Sequence, residues 1–290
     1  MPKERFHLHL ADEVLKGFGC DPLAAAISGR LTFFMGAVSP DVFFYDFPSF
    51  ALSPLGDALH DLMDREGISI IGDWIESERG NAGTGRGDDT ARRGPTAGYL
   101  PAPGFSWALG FACHFLADAV WHPVINELST SMDYCAQKRL SGIECHRLLE
   151  SELEAFRLTG SRTLERSTDL LRDLRRRGRL FEIASYYRQF LEFTGLGPIP
   201  SEKKIVKCCL SQNYFLGLFA NATLGRLRDR MLDVPFTRYV GSLVVPARPI
   251  LPKLFSITLA QDRNPFSDYF MERALTVLNV QLRALAKRLL

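Results

Sequence analysis

The chain has 290 residues, of which 46% are hydrophobic and 23% are charged, as in an ordinary folded protein. Its net charge of +2 excludes a strong chain-wide attraction to nucleic acid or to an anionic membrane. The length allows a substantial core, so no disulfide scaffold is required.

Neither the cysteines nor the N-terminus indicates export. The six cysteines include no Cys-x-x-Cys pair, and we expect them to be mostly reduced and buried. The opening residues MPKERFHLHLADEVL lack the apolar run of a signal peptide, and no stretch of 18 apolar residues occurs. We therefore expect a soluble, cytoplasmic protein whose oligomeric state the sequence leaves open.

Apolar residues recur at helical spacing in five stretches of the chain. In chain order they are HLADEVLKGF, PLGDALHDLMDREG, SWALGFACHFLADAVW, IECHRLLESELEAFRL and FSDYFMERALTVLNVQLRALAKRLL. The best candidate for strand-like alternation is the short run YVGSLVV. The sequence therefore predicts an all-α fold.

Two changes in composition divide the chain. Residues Ser77 to Gly104 are rich in Gly, Pro, Thr and charge, which predicts a flexible insertion between helices. All histidines precede residue 147, whereas the remainder is rich in arginine. This predicts a domain over residues 1–155, with the insertion at 77–104, and a helical C-terminal region over 156–290.

The stretch GFACHFLADAVWHP contains His114, Asp118 and His122, each four residues from the next. On a helix this spacing places the three side chains along one face. Burial of Asp118 without a partner would cost several kcal/mol. The stripe therefore favours a metal site over an ordinary buried helix.

Other His, Asp and Glu residues extend the set of candidate ligands. Taken singly, each has a simpler explanation: a buried histidine is more often a hydrogen-bonded core residue, Asp41 could cap a turn, and Glu150 could belong to a solvated acidic face. Imidazole and carboxylate suit Zn²⁺, and the total exceeds the needs of one tetrahedral ion. Together they predict a multinuclear site formed by His7, Asp41, His60, His114, Asp118, His122, His146 and Glu150.

The chain resembles the zinc-dependent phospholipase C family, which is related to the P1-type nucleases. The segments HLHLADEVL, GAVSPD, LHD, HFLADAVWHP and HRLLE follow one another in the family's order, over residues 5 to 155. The resemblance implies an all-helical fold that holds two to three zinc ions in a cleft for a phosphodiester.

The resemblance also implies specific roles for the candidate residues. His7 is preferred to His9 by its position before Ala11, and Asp41 is implied as general base as well as ligand. The family's N-terminal Trp has no counterpart here, so His9 or water would complete the third site. The implied ligand sets are Asp41, His60, His114 and Asp118; His122, His146 and Glu150; and His7 with the shared Asp118.

The resemblance implies hydrolysis of a phosphodiester by metal-activated water. A phospholipid is the leading substrate, with peripheral membrane contact; a P1-type nuclease and a non-catalytic zinc protein are the alternatives. The near-neutral charge disfavours nucleic acid. The aromatic run VFFYDFPSF could contact substrate but favours core packing, and the run RDLRRRGR favours a solvated helix face.

Overall fold

The computed structural model describes residues 4–19, 27, 29–83, 102–158, 163–176, 178–252, 255 and 259–289. Within these ranges every regular element is helical, which confirms the predicted all-α fold. The elements are α1 (Glu4–Phe18), α2 (Arg30–Val38), a 3₁₀ helix (Pro40–Tyr45), α3 (Ser53–Glu66), α4 (Ser69–Gly83), α5 (Ala102–Ser131), α6 (Asp133–Gln137), α7 (Gly142–Leu158), α8 (Thr163–Arg176), α9 (Leu180–Thr194), α10 (Glu202–Phe219), α11 (Ala222–Asp233), α12 (Arg238–Leu243) and α13 (Asp268–Leu289).

The strand candidate YVGSLVV is wrong, because most of this run forms the short helix α12. An apolar run gains from strand geometry only where another strand pairs with it, and the described residues provide none. The run packs as a helix instead, and the carbonyl of Ser242 accepts a hydrogen bond from Ser151 Oγ on α7 at 2.8 Å.

The ends of the expected insertion at Ser77 to Gly104 are helical. Residues 77–83 belong to α4, and α5 already includes residues 102–104. Pro103 is compatible with α5 because it lies in the first turn, where its missing N–H is not needed. Residues 84–101 lie outside the described part of the chain.

Helix α5 runs through the centre of the fold and packs closely against α2. A Cβ atom added to Gly110 would lie 1.9 Å from the carbonyl oxygen of Phe33, and one added to Gly36 would lie 2.1 Å from that of Trp107. Only glycine allows two helix backbones to approach so closely. The contact brings the segment after α2 next to the polar stripe of α5.

By length and composition alone, α5 could cross a membrane over Gly104–Ser131, the one such helix in the described ranges. Two thirds of its most apolar window (67%) is buried inside the fold. Its core position therefore explains its apolar character.

A single large core contains residues from both parts of the chain. Trp107 and Phe111 on α5 contact Tyr187 and Phe190 on α9, with ring centroids 5.1 to 5.5 Å apart for these pairs. The boundary expected near residue 155 falls inside α7.

The arginine run RDLRRRGR lies partly on a solvated helix face, as predicted, since Arg172, Arg175 and Arg176 are exposed.

Two of the cysteines expected to be reduced are bonded to each other. Cys135 in α6 and Cys145 in α7 form a disulfide, with Cα atoms 5.7 Å apart. The tight connection between α6 and α7 brings the two residues together, a tertiary effect that their spacing of ten residues does not reveal. Cys113, Cys208 and Cys209 are free and buried, as expected, and Cys20 lies outside the described residues.

Candidate metal centre

The stripe predicted on α5 lies at the floor of a cleft, with Asp118 at its middle. Asp118 Oδ2 lies 3.2 Å from His114 Nε2, whereas Asp118 Oδ1 lies 3.3 Å from His122 Nε2. His114 is fully buried and Asp118 is 7% exposed. The two oxygens of one carboxylate thus face two different histidines.

Helix α1 contributes His7 and not His9. His7 Nε2 lies 3.3 Å from Asp118 Oδ1, and its ring stacks on that of His114 with centroids 3.9 Å apart. Burial and the neighbouring His114 lower the pKa of His7, although Asp118 opposes them. Among the described residues, His7, His114 and Asp118 form a group of metal-ligand geometry, and His9 belongs to no such group.

The 3₁₀ helix and α3 contribute Asp41 and His60. Pro40 begins the 3₁₀ helix, a position that suits its fixed φ angle, and so places Asp41 in the first turn. Asp41 Oδ1 lies 3.4 Å from His60 Nε2 and 3.9 Å from His114 Nε2. These three residues form a second group of metal-ligand geometry.

Helix α7 supplies the last two predicted ligands. His146 Nε2 lies 2.6 Å from Glu150 Oε1, and His122 Nε2 lies 3.8 Å from the same oxygen. Glu150 is only 2% exposed, so it does not belong to a solvated acidic face. His122, His146 and Glu150 form the third group, and all eight predicted residues therefore lie in connected groups.

Backbone and amide oxygens orient three of the histidines. The carbonyls of Ala37 and Gly56 accept hydrogen bonds from Nδ1 of His114 and of His60, both at 2.9 Å. His146 Nδ1 lies 2.8 Å from Asn126 Oδ1. Because these oxygens accept, the Nε2 atom of each ring is turned to the cleft, the usual arrangement around a metal ligand. Asn126 is not among the residues predicted from the sequence, although it continues the four-residue spacing of the stripe.

The arrangement fits a zinc ion. The Nδ1–H bond of His114 leaves the lone pair of its Nε2 facing two carboxylates, and this buried Nε2 makes no hydrogen bond to any described residue. A tetrahedral zinc ion with ligands at about 2.0–2.1 Å separates its donor atoms by about 3.3 Å. The distances of 3.2 to 3.4 Å around Asp118 and His60 match that separation.

The charges of the carboxylates dominate the electrostatics of the cleft. Burial lowers the pKa of His60, but hydrogen bonding to Asp41 and the charges of Asp41 and Asp118 outweigh it and raise that pKa to about 9. A site that stabilises a cationic imidazole this strongly also suits a metal cation.

The cleft above the candidate ligands has a volume of about 830 Å³. The aromatic run identified in the sequence divides between core and cleft: Phe43 and Tyr45 are buried, whereas Phe44 and Phe50 line the cleft. Besides the ligands at its floor, its walls carry Ser53, Asp57, Asp64, Phe115, Asn126, Ser129, Thr130, Gly142, Ile143, Arg147 and Tyr239.

Comparison with known proteins identifies one family. A family model described as zinc dependent phospholipase C matches residues 6–185. The matched segment covers more than half of the chain and includes all eight candidate ligands, while α10 to α13 lie beyond it. No curated protein and no solved structure matches the chain.

Proposed function

The chain belongs to the zinc-dependent phospholipase C family, and on that premise we propose that it hydrolyses the phosphodiester bond of phospholipids. The observation that carries the proposal is the set of connected His, Asp and Glu groups at the floor of an open cleft. Structural zinc sites are usually closed and rich in cysteine, whereas this site is open and its groups contain none.

The proposed assignment distributes the ligands over two to three zinc ions. Asp118 is the shared ligand, because each of its oxygens faces a different histidine. When bound, clustered zinc lowers the pKa of water and stabilises the charge of the phosphate oxygens. The proposed sets are Asp41, His60, His114 and Asp118; His122, His146 and Glu150; and His7 with Asp118.

Asp41 is the proposed general base. It lines the cleft, with its Oδ1 3.4 Å from His60 Nε2 and 3.9 Å from His114 Nε2. A carboxylate can serve both roles, because one oxygen can bind a metal while the other accepts the proton of the attacking water. Asp41 thereby would deliver the nucleophile towards phosphorus.

Exposed apolar side chains at the cleft support a lipid substrate and a membrane contact. Phe50, Ile143 and Tyr239 line the cleft and are 51%, 64% and 50% exposed. Phe47, 48% exposed, contacts Phe50 with ring centroids 5.9 Å apart and extends this apolar edge. Aromatic and aliphatic side chains in this position can enter the interfacial region of a bilayer and admit a lipid headgroup to the cleft.

Metal analysis and hydrolysis assays test the proposal together. We expect at least two equivalents of zinc after reconstitution, and zinc-dependent release of phosphocholine from phosphatidylcholine vesicles. Single-stranded DNA is the competing substrate in the same assay, and its preferential hydrolysis would establish the nuclease alternative. Retention of zinc without hydrolysis of either substrate would favour the non-catalytic alternative, and one equivalent or less would refute the multinuclear site.

The membrane contact has its own test. Replacing Phe50 and Ile143 by serine removes exposed apolar surface without touching a candidate ligand, so vesicle binding should weaken several-fold. Phe181→Ser is the matched control, since Phe181 is 49% exposed on α9 and does not line the cleft. Equal binding by all three proteins in a vesicle sedimentation assay would contradict the contact.

A further inference from the structure

One face of α7 lines the cleft with a residue that the metal site does not use. Ile143, His146, Arg147 and Glu150 follow the spacing i, i+3, i+4, i+7, which places them on the same side of a helix, and all four line the cleft. His146 and Glu150 are candidate ligands. Arg147 therefore projects into the same space beside them.

The surroundings of Arg147 leave a buried cationic donor without a partner. Its guanidinium carbon lies 4.4 Å from the centroid of the Tyr239 ring, in cation–π geometry. Its Nη1 is buried and makes no hydrogen bond to any described residue. Burying such a donor unpaired is costly. The side chain as a whole is half-buried and lines the cleft, where an anion can pair with its guanidinium.

Charge in the cleft singles out this position. Arg147 is the only Lys or Arg among the described residues that line it, whereas Asp57 and Asp64 line it from α3. Apart from the candidate metal ligands, Arg147 is therefore the one described cleft residue whose permanent positive charge attracts an anion. The planar guanidinium presents its N–H groups as a fork that matches two oxygens of a phosphate.

We propose that Arg147, held in place by Tyr239, binds a phosphate oxyanion of the substrate. The identity of that substrate rests on the proposed phosphodiester hydrolysis, but the anion site itself does not. Negative charge on the non-bridging oxygens must be stabilised while phosphorus is attacked, and N–H donors of Arg147 supply this without forming or breaking a bond. Tyr239 reaches the cleft from α12, beyond the matched residues 6–185.

Binding of inorganic phosphate to the zinc-loaded protein tests the site, by calorimetry and with zinc measured in each variant. Arg147→Met keeps the length of the side chain but removes its donors, and the Kd should rise about 10- to 100-fold. Arg147→Lys keeps the charge without the fork, and Tyr239→Leu removes the ring, so each should raise the Kd about 3-fold or more. Tyr239→Phe keeps the ring and should bind like the wild type.

Matched controls decide the result. Arg188→Met removes an arginine that pairs with Glu192 on α9, away from the cleft, and should leave the Kd unchanged. If Arg147→Met retains its zinc, a Kd for phosphate within twofold of the wild-type value overturns the proposal. If Arg147→Met loses zinc, the same result in zinc-replete Arg147→Lys overturns it. Loss of zinc from both variants also overturns it, because Arg147 would then support the ligands.

Substrate kinetics identify the phosphate that Arg147 contacts. Equal losses of kcat/KM on phosphatidylcholine and phosphatidylinositol 4-phosphate assign Arg147 to the phosphate that is cleaved. A loss of kcat/KM on phosphatidylinositol 4-phosphate alone assigns Arg147 to the additional phosphate of that headgroup. Should the wild type hydrolyse neither lipid, the proposed function fails, whereas the phosphate affinities still test the anion site.

Discussion

The two oxygens of Asp118 face separate histidines, with Oδ1 near His7 and His122 and Oδ2 near His114. An amide in the same place would keep the shape of the side chain but lose its charge. It could still accept a hydrogen bond, so it would satisfy a merely structural role. Substitution of Asp118 by asparagine therefore distinguishes a metal site from a polar core.

Asp118→Asn should lose at least one equivalent of zinc, together with the proposed hydrolytic activity. The reason is that a neutral amide offsets no charge of the two cations that Asp118 is proposed to share. The measurement is zinc per folded protein, with helicity checked by circular dichroism. Full zinc content in a folded Asp118→Asn protein would contradict the shared-ligand assignment.

His7 and His9 provide a matched pair on the same helix. His7→Ala should lower the zinc content by up to one equivalent, because His7 Nε2 lies 3.3 Å from Asp118. His9→Ala should leave the content intact, since His9 lies outside the ligand groups of the described residues. Zinc loss from His9→Ala but not from His7→Ala would show that His9, and not His7, is the ligand.

Two buried carboxyl groups next to the site should make stability depend on pH. Burial raises the pKa of Glu154 to about 8, helped by the charge of Glu4. Burial and the charge of Asp41 raise the pKa of Glu4 to about 7, although Tyr45 donates a hydrogen bond to it at 2.5 Å. The folded protein thus binds these protons more tightly than the unfolded chain does.

The stabilisation from these protons is complete below about pH 4.5, the ordinary glutamate pKa, and is lost as the pH rises through about 8. Glu154→Gln should remove part of this loss. The free energy of unfolding of the variant minus that of the wild type should therefore be greater at pH 9 than at pH 5, by on the order of 1–3 kcal/mol. Urea unfolding at both values measures the difference. The exposed Glu66→Gln serves as control, and parallel pH curves for all three proteins would refute the prediction.

The polar stripe on α5 could be identified from the sequence because its information is local. His114, Asp118 and His122 follow helical spacing, and burial of a carboxylate among them demands a counterpart. Arg147 escaped attention because only the tertiary packing of α12 against α7 gives it Tyr239 as a neighbour. The spacing of a single segment cannot reveal such a contact.

At the scale of elements, the close approach of α2 and α5 positions the candidate ligands. Gly110 and Gly36 let the backbones meet, and the carbonyl of Ala37 then accepts the hydrogen bond from His114. Asp41 follows α2 by three residues beyond Val38 and so reaches the cleft. A wider separation of the two helices would displace both groups from the ligand cluster.

Gly110→Ala should therefore destabilise the protein by about 2–4 kcal/mol, since its new Cβ would collide with the backbone of Phe33. Gly217→Ala is the matched control, because Gly217 lies within α10 and has nothing within 4 Å of the added Cβ. That change should stabilise by up to about 1 kcal/mol. Urea unfolding measures both, and a neutral or stabilising Gly110→Ala would show that the helices can separate without cost.

At the scale of the whole molecule, α7 connects the cleft with the C-terminal region. Buried Glu152 on α7 pairs with buried Arg228 on α11, and it accepts hydrogen bonds from the backbone N–H groups of Ile250 and Leu251. The aromatic contacts of α9 add Tyr187 and Phe190 to the same core. The change in arginine and histidine content predicts a boundary near residue 155, but composition does not report which surfaces pack together.

A chain that ends at residue 185 should consequently fail to fold, although it contains every candidate ligand. It lacks the core residues of the rest of α9, among them Tyr187 and Phe190, and it loses Arg228, the buried partner of Glu152. Thermal unfolding followed by circular dichroism should show no cooperative transition. A cooperative transition with zinc retained would show that residues 1–185 form an autonomous domain.

Tyr239 has a consequence for how such a protein can evolve. The candidate ligands lie between residues 7 and 150, whereas this cleft residue comes from a helix that begins at residue 238. On the proposed function, mutations that reshape α12 would therefore alter substrate preference while leaving the candidate ligands intact. Exchange of the C-terminal segment between relatives would then give the proposed hydrolytic centre a new specificity.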